Sequence, residues 1–201
     1  MIKLLTFNCN QKWVENLYSC DIIFLQEVSK ANYKFLRNKY KDYIYPEWNE
    51  TSMKEIDNAK YDGYRKGLSF LSKIKFEIIT RKDRYLIAST DNFLLVNVHL
   101  PSSDRSFERK QILDEIFEEI KDKSVIIAGD FNMKEEEFTL LPKDITLSKS
   151  LVTFSCDKCY DRFISINVNV DNVKVLENNV SDHKPLYGEI SNLEHSNCNI
   201  I

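Results

Sequence analysis

The chain has 201 residues, with 43% hydrophobic and 29% charged side chains, an ordinary balance for a globular protein with a real core. A net charge of −3 and a pI of about 5.7 argue against a dedicated duplex-DNA-binding domain, which is usually basic. No apolar run approaches the ~20 residues of a membrane span, and Asn8 interrupts the N-terminus too soon for a secretory signal.

From these features the expectation is an intracellular protein, nuclear or cytoplasmic, not secreted and without a membrane partner. The five cysteines make no regular disulfide framework. Cys156-x-x-Cys159 finds a second ligand pair for zinc only in His195 and Cys198, so reduced thiols are expected rather than a zinc site.

Residues 2–8 carry Leu4, Leu5 and Phe7 and predict a buried strand ending at Asn8. Residues 11–19 predict a short helix with Trp13, Val14 and Leu17 inward. Asp21 to Leu25 is a second apolar run, hence a strand, with Gln26 and Glu27 at its mouth. A glutamate there is costly unless it pairs or meets a cation. Tyr33, Leu36 and Tyr40 predict a helix over 29–40, and Tyr43 to Trp48 an aromatic strand broken by Pro46.

After a polar loop over 49–66, residues 67–72 predict a strand with 75–80 as its hairpin partner. Residues 84–89 and 93–100 predict a further hairpin about Asp91-Asn92, the second strand ending in His99. From Lys60 to Arg84 stand eight basic residues (Lys60, Arg65, Lys66, Lys73, Lys75, Arg81, Lys82, Arg84) against three acids (Asp62, Glu77, Asp83). That balance suits either a local phosphate-facing surface or the solvated faces of strands and turns.

Phe107, Ile112, Leu113, Ile116, Phe117 and Ile120 mark one face of a predicted helix, capped by Ser103 or Asp104. It leads into Val125 to Ala128, a run apolar enough for a strand buried on both faces. Gly129 is expected to end that strand in a sharp turn. Asp130 and Asn132 follow, and they face the same way if the chain stays extended. The bland reading is an Asp-x-Asn turn.

Residues 162–166, 173–176 and 185–190 predict further strands, with Ser181-Asp182-His183 before the last. No internal repeat, linker or low-complexity tract interrupts the chain. The expectation is a single domain over 1–190, a polar tail over 191–201, and an α/β fold of packed sheets with helices outside.

The polar groups at strand ends are Asn8, Glu27, His99, Asp130, Asn132, Asp161, Asp182 and His183. Acids gathered at one point repel unless a cation sits among them. Oxygen donors with few histidines favour Mg²⁺, or Mn²⁺ in its place, over zinc. Such an ion would take one or two carboxylates and bridge to a substrate phosphate, which points to metal-assisted phosphoester cleavage.

The ordered set Thr6-Phe7-Asn8, Leu25-Gln26-Glu27, Val98-His99-Leu100, Gly129-Asp130-Phe131-Asn132 and Ser181-Asp182-His183 resembles the endonuclease/exonuclease/phosphatase superfamily. Any one triplet is weak, but five in order span nearly the whole chain. The resemblance implies a DNase I-like, four-layered α/β sandwich: two packed, mostly antiparallel sheets flanked by helices.

A narrower set is similar to the tyrosyl-DNA phosphodiesterase branch of that superfamily: His99-Leu100-Pro101-Ser102, then Glu108-Arg109 and Gln111, Thr153-Phe154, and Tyr160-Asp161-Arg162-Phe163. It implies cleavage at nucleic-acid 5′ ends, of DNA carrying a linked tyrosine and of related RNA links, by a monomer. Alternatives within the chemistry are another nuclease or RNA-directed phosphodiesterase and an inositol-phosphate phosphatase. The alternative outside it is an inactive binding module.

By the same resemblance, Glu27 would be the main metal ligand, with Asn8 in support and Asp182 completing the acidic cluster. Asp130 would activate the attacking water and Asn132 hold it or a phosphate oxygen. His183 would stabilise developing charge and serve the leaving group, oriented by Asp161, and His99 would bond a non-bridging oxygen. Ser102, Arg109, Lys134, Asn10 and Phe154 would contact substrate. Asn10 stands where relatives have an aspartate, Lys134 where they have an arginine, and Phe154 where they have a tryptophan.

Overall fold

The computed structural model describes residues 1–14, 18–45, 66–102 and 104–191. Among the described residues eleven strands form two sheets. The first contains β1 (Ile2–Asn8), β2 (Ile22–Ser29), β3 (Lys66–Ser72), β10 (Asp171–Val175) and β11 (Leu186–Ile190), in the order β10-β11-β1-β2-β3. The second contains β4 (Glu77–Arg81), β5 (Tyr85–Ser89), β6 (Leu94–His99), β7 (Val125–Asp130), β8 (Thr146–Leu147) and β9 (Asp161–Ile166), in the order β4-β5-β6-β7-β9-β8. Each sheet is antiparallel except for one central parallel pair, β1 with β2 and β6 with β7. The helices among the described residues are α1 (Lys30–Lys39), α2 (Ser106–Glu119) and the short α3 (Glu135–Phe138).

The apolar runs are continuous because both faces of each central strand are covered. Alternate residues serve different layers, as the two-residue period of a strand requires. Leu4, Ile22 and Phe24 of the first sheet meet Leu95, Ile126, Ala128 and Phe163 of the second between the sheets. Their neighbours Leu5, Ile23 and Leu25 turn outward to Tyr33 and Leu36 of α1. Val96, Val98, Ile127 and Ile164 turn the other way to Leu113, Ile116 and Ile120 along α2 and to Phe138 of α3. Each such side chain contributes roughly 1.5–3 kcal/mol on leaving water. Four layers result, as the motifs imply.

Several local expectations are corrected. Residues 10–11 and 18–19 form turns and 12–14 are irregular rather than helical: Asn10, Gln11, Tyr18 and Ser19 all have positive φ, which a right-handed helix forbids. Leu17 lies outside the described residues. Trp13 is 51% exposed, edge-on to Phe35 rather than inward. The expected strand at 43–48 is reduced, within the described residues, to a lone bridge between Ile44 and Ser72.

Residues 77–81 are not a partner for β3. Ile74 and Phe76 pack into the inter-sheet core and carry the chain across, so β4 opens the second sheet beside β5. Helix α2 begins at Ser106 with no side-chain cap among the described residues, Ser103 lying outside them, and Phe107 on its first turn is 73% exposed. Gly129 does not end β7, which continues to Asp130. Its φ of +149° and the missing Cβ serve close approach: a Cβ there would lie 2.0 Å from the Val98 carbonyl oxygen.

Candidate active site

The strand registers, parallel for β1–β2 and β6–β7 and antiparallel for β7–β9, bring the following residues together at one rim. His99 lies opposite Asp130 across β6 and β7, Asp130 opposite Asp161 across β7 and β9, and Asn8 opposite Gln26 across β1 and β2. Between the two sheet edges opens a cleft of about 410 Å³, lined by Asn8, Asn10, Glu27, Arg84, His99, Ser102, Arg105, Asp130, Asn132, Phe154, Asp182 and His183.

Glu27 owes its aim to a bulge. The β2–β3 register shifts between Leu25 and Val28, and Glu27 has φ of +52°. Bulges re-aim side chains in this way at functional rims. The loop after β1 fastens the bulge: Cys9 N donates to Gln26 O at 3.1 Å and Gln11 N to Glu27 O at 2.9 Å. The Glu27 side chain keeps 14% exposure, and its Oε1 stands 3.6 Å from His99 Nε2.

Asp130 is the buried centre. Its Oδ2 accepts from Asn8 Nδ2 at 2.9 Å and its Oδ1 from Asn132 N at 3.0 Å. His183 Nε2 and His99 Nε2 stand 3.7 and 3.8 Å from Oδ2, within ion-pair range but too far for hydrogen bonds. Burial first, and then the neighbouring Asp161 charge, push the Asp130 carboxyl up to about 7, against the pull of His183, Asn8 and Asn132. The Asp-x-Asn turn is real: Asn132 has φ of +50°, and its Nδ2 donates to Leu100 O at 3.0 Å. The turn and the site are therefore one structure.

His183 is held by Asp161, whose Oδ2 accepts from Nδ1 at 2.9 Å. Burial works against a charged ring, but the Asp161 hydrogen bond and charge, then Asp130 and Asp182, outweigh it and raise His183 to about 9. Asp161 Oδ1 is buried without a hydrogen-bond partner, so the ring is the main compensation for that charge. Phe154 packs edge-on to His183 with ring centroids 4.8 Å apart. Asp182 Oδ1 accepts from Asn10 Nδ2 at 3.0 Å, and Ser181 Oγ donates to Asn8 O at 2.8 Å, joining this loop to the end of β1.

The structure thus gathers Asn8, Asn10, Glu27, His99, Ser102, Asp130, Asn132, Phe154, Asp182 and His183 around one cleft, with Asp161 behind His183. Two expected substrate residues are elsewhere. Arg109 is buried, with Nη2 on Glu137 Oε1 at 2.8 Å and Oε2 at 2.9 Å, and Nη1 on Pro101 O at 2.9 Å. It clamps α2 to α3 rather than contacting the cleft. Lys134 is exposed at the start of α3, where its N–H bonds Glu137 Oε2 at 2.9 Å, and it does not line the cleft.

Arg105 was not foreseen, and Arg84 was seen only as part of a basic stretch. An antiparallel partner of β6 must begin where β6 ends, and that rule places Arg84 beside His99.

The donor set suits a divalent ion of the Mg²⁺ type. Glu27, Asp130 and Asp182 supply carboxylates, Asn8, Asn10 and Asn132 supply amide oxygens, and no cysteine among the described residues lines the cleft. Among the described residues no three His, Cys, Asp or Glu form a ready cage. An ion held by one or two carboxylates and completed by waters and a substrate phosphate needs none. Glu27 with Asn8 fits that pattern.

The profile of the endonuclease/exonuclease/phosphatase family matches residues 5–183. Tyrosyl-DNA phosphodiesterase 2 from Bos taurus is 30% identical over 141 residues, covering 61% of this chain and 36% of that protein. The Homo sapiens protein of the same name matches with the same identity and coverage. The chain thus spans little more than a third of the length of these curated relatives. Among solved structures, tyrosyl-DNA phosphodiesterase 2 from Danio rerio, complexed with a single-strand DNA product, superposes with a TM-score of 0.68 at 19% identity. That match covers 93% of this chain and 97% of the other.

Proposed function

This chain belongs to the endonuclease/exonuclease/phosphatase family, whose members hydrolyse phosphate esters, and we propose that it is a Mg²⁺-dependent phosphodiesterase acting at nucleic-acid 5′ ends. The favoured substrate is DNA with tyrosine linked to its 5′ phosphate; RNA with a similar link is a further substrate, and Mn²⁺ a substitute ion. The observation that carries the reading is Asp130, buried between two histidines and sharing His99 and the cleft with Glu27, with His183 backed by Asp161. The similarity to tyrosyl-DNA phosphodiesterase 2 supports the substrate.

A divalent ion at Glu27 and Asn8 would supply positive charge to the phosphoryl oxygens. Asp130, raised toward 7, takes a proton from the attacking water while Asn8 and the Asn132 N–H hold its carboxylate in place. Its two hydrogen bonds come from the buried Asn8 side-chain amide and the Asn132 backbone N–H, so the base is positioned before substrate arrives. His183, raised to about 9, meets the charge developing on the phosphoryl group and gives a proton to the departing oxygen. A tyrosine phenol ionises at about 10, so it leaves with little help. His99 hydrogen-bonds a non-bridging oxygen from the β6 side. Phe154 offers an aromatic face to a base next to the scissile phosphate.

The test offers three substrates with Mg²⁺ and with chelator: a 5′-tyrosyl oligonucleotide, an abasic-site duplex and an inositol polyphosphate. Release of tyrosine that requires Mg²⁺ is expected. Turnover confined to the duplex or to the inositol polyphosphate overturns the 5′-end reading.

A further inference from the structure

The pair Cys156-x-x-Cys159 has no part in the chemistry above, yet it sits in the hairpin that carries Phe154. Phe154 and Lys158 bridge each other, and residues 155–157 form the loop between them. Asp157 closes that loop with φ of +56°, the left-handed conformation usual at the end of a three-residue hairpin loop. Cys156 stands exposed at the tip and Cys159 half-buried on the returning arm, both as free thiols.

Both arms are tied to the catalytic elements. The Lys158 carbonyl accepts from Thr153 N and Phe154 N, each at 3.0 Å. Ser155 N donates to Asp182 O at 3.0 Å and Lys184 N to Thr153 O at 2.6 Å, so the first arm lies against the loop of His183. Phe154 pairs with His183 in an isolated bridge and packs on its ring. On the second arm, Phe131 N donates to Tyr160 O at 2.9 Å, and Asp161 N reaches back to Thr153 Oγ1 at 3.2 Å. A change in the turn is therefore felt at His183, at Asp161 and at the stacking ring together.

A disulfide requires Cα atoms within about 7 Å of each other. From Cys156 the chain turns left-handed at Asp157 and runs extended through Lys158, a path that keeps the pair at or beyond that limit. Joining the sulfurs tightens the turn and draws the Lys158 carbonyl away from Thr153 and Phe154. A bond formed under strain at the surface is also readily reduced, so it acts as a switch and not as a staple.

We propose that Cys156 and Cys159 form a reversible disulfide that withdraws Phe154 from His183 and slows the enzyme; the effect on turnover rests on the phosphodiesterase reading. The oxidant is a small disulfide of the glutathione type. The more exposed Cys156 thiolate attacks one of its sulfurs, the S–S bond breaks, and one thiolate leaves. The Cys159 thiolate then attacks the Cys156 sulfur of the mixed disulfide and expels the second. Two protein thiols are oxidised, one small disulfide is reduced to two thiols, and the protons of the protein thiols pass to them. Excess small thiol runs the sequence backwards.

The experiment compares wild type, Cys159→Ser and the double variant Cys156→Ser with Cys159→Ser, each equilibrated with reduced and with oxidised glutathione. The readouts are peptide mapping of disulfides, the ring-proton NMR signals of His183 (assigned with His183→Asn), and kcat/KM on a 5′-tyrosyl oligonucleotide in Mg²⁺. Oxidised wild type should carry a Cys156–Cys159 link and shift the His183 signals as Phe154 leaves the ring. Its kcat/KM should fall about tenfold, as the loss of one stacked base implies. Excess thiol should reverse all three changes. Cys159→Ser should stop at a mixed disulfide on Cys156, and the double variant should match reduced wild type in either condition.

Absence of the link overturns the inference. So does a link that leaves the His183 signals unchanged or, in an active enzyme, leaves turnover unchanged, and so does an equal loss of turnover in the double variant. A reversible link that shifts His183 in a protein that cleaves no ester would sink the hydrolytic reading and leave the coupling of this cysteine pair to His183 standing.

Discussion

Gln26 Nε2 donates to Asn97 Oδ1 at 2.7 Å, joining β2 of one sheet to β6 of the other. Asn97 Nδ2 donates in turn to Leu25 O and Ser69 O at 3.0 and 2.9 Å, and Gln26 Nε2 also reaches Thr6 Oγ1 at 3.1 Å. All three side chains, Thr6, Gln26 and Asn97, are buried. The clasp lies one residue before Glu27 and two before His99, so it sets how the two walls of the cleft face each other. Asn97→Leu leaves Gln26 Nε2 with Thr6 alone and takes the Asn97 donor from the Leu25 and Ser69 carbonyls, and an unmet buried polar group costs about 1–3 kcal/mol. Urea unfolding should show that loss. Turnover of the remaining folded protein should drop as well, and retention of full turnover would separate the clasp from the site.

Asp130→Asn keeps the shape and the turn but removes the proposed base. Turnover of a phosphodiester should fall by orders of magnitude while the melting temperature holds or rises, because a buried charge is gone. Activity that survives in this variant would remove Asp130 from its assigned role.

The Asp161–His183 pair predicts a pH signature in chelator. A histidine raised from its ordinary ~6.5 to about 9 contributes stability that is complete below about 6.5 and lost as pH rises through about 9. Asp130, raised to about 7, acts in the same direction, because its proton is held more tightly in the folded state. Melting should therefore be lower at pH 9.5 than at pH 6, by a stability difference on the order of 2 kcal/mol. His183→Asn should narrow the gap; an equal gap in wild type and variant would place the titrating group elsewhere.

Gly129→Ala places a methyl 2.0 Å from the Val98 carbonyl oxygen at a φ that side chains avoid. β6 and β7 would have to part where they deliver His99 and Asp130. A loss of about 3 kcal/mol or more is expected from overpacking plus backbone strain, read as a lower denaturation midpoint. Wild-type stability in this variant would mean that the strands separate at no cost.

Arg109→Ala leaves Glu137 without its buried partner, for a stability loss of about 3–5 kcal/mol. KM and kcat of the folded fraction should change less than about twofold, since the side chain contacts Pro101 and Glu137 rather than the cleft. A large rise in KM at full stability would restore the substrate role that the motif alone suggested.

Much of the fold was legible because each central strand is apolar on both faces and ends in a polar residue. Leu4 to Asn8, Ile22 to Glu27 and Val125 to Asp130 could be read without partners. The cleft residues were legible through those ends. Three things were hidden. Sheet membership of β4 depends on Ile74 and Phe76 crossing the core, which periodicity does not reveal. Arg109 and Lys134 sit in motif positions, but the motif does not show Glu137 coming from α3 to engage both. Arg84 belongs to the cleft only through its antiparallel register with β6, a relation between strands rather than a local pattern.

The account depends most on Glu27 serving a divalent ion in the cleft that Asp130 and His183 share. The direct measurement is release of tyrosine from a 5′-tyrosyl oligonucleotide by wild type and Glu27→Gln, in Mg²⁺, in chelator, and after Mg²⁺ is restored. Wild type should be active, silent and active again, with Glu27→Gln far below it throughout. Full activity in chelator, or a Glu27→Gln protein as active as wild type, would contradict the account.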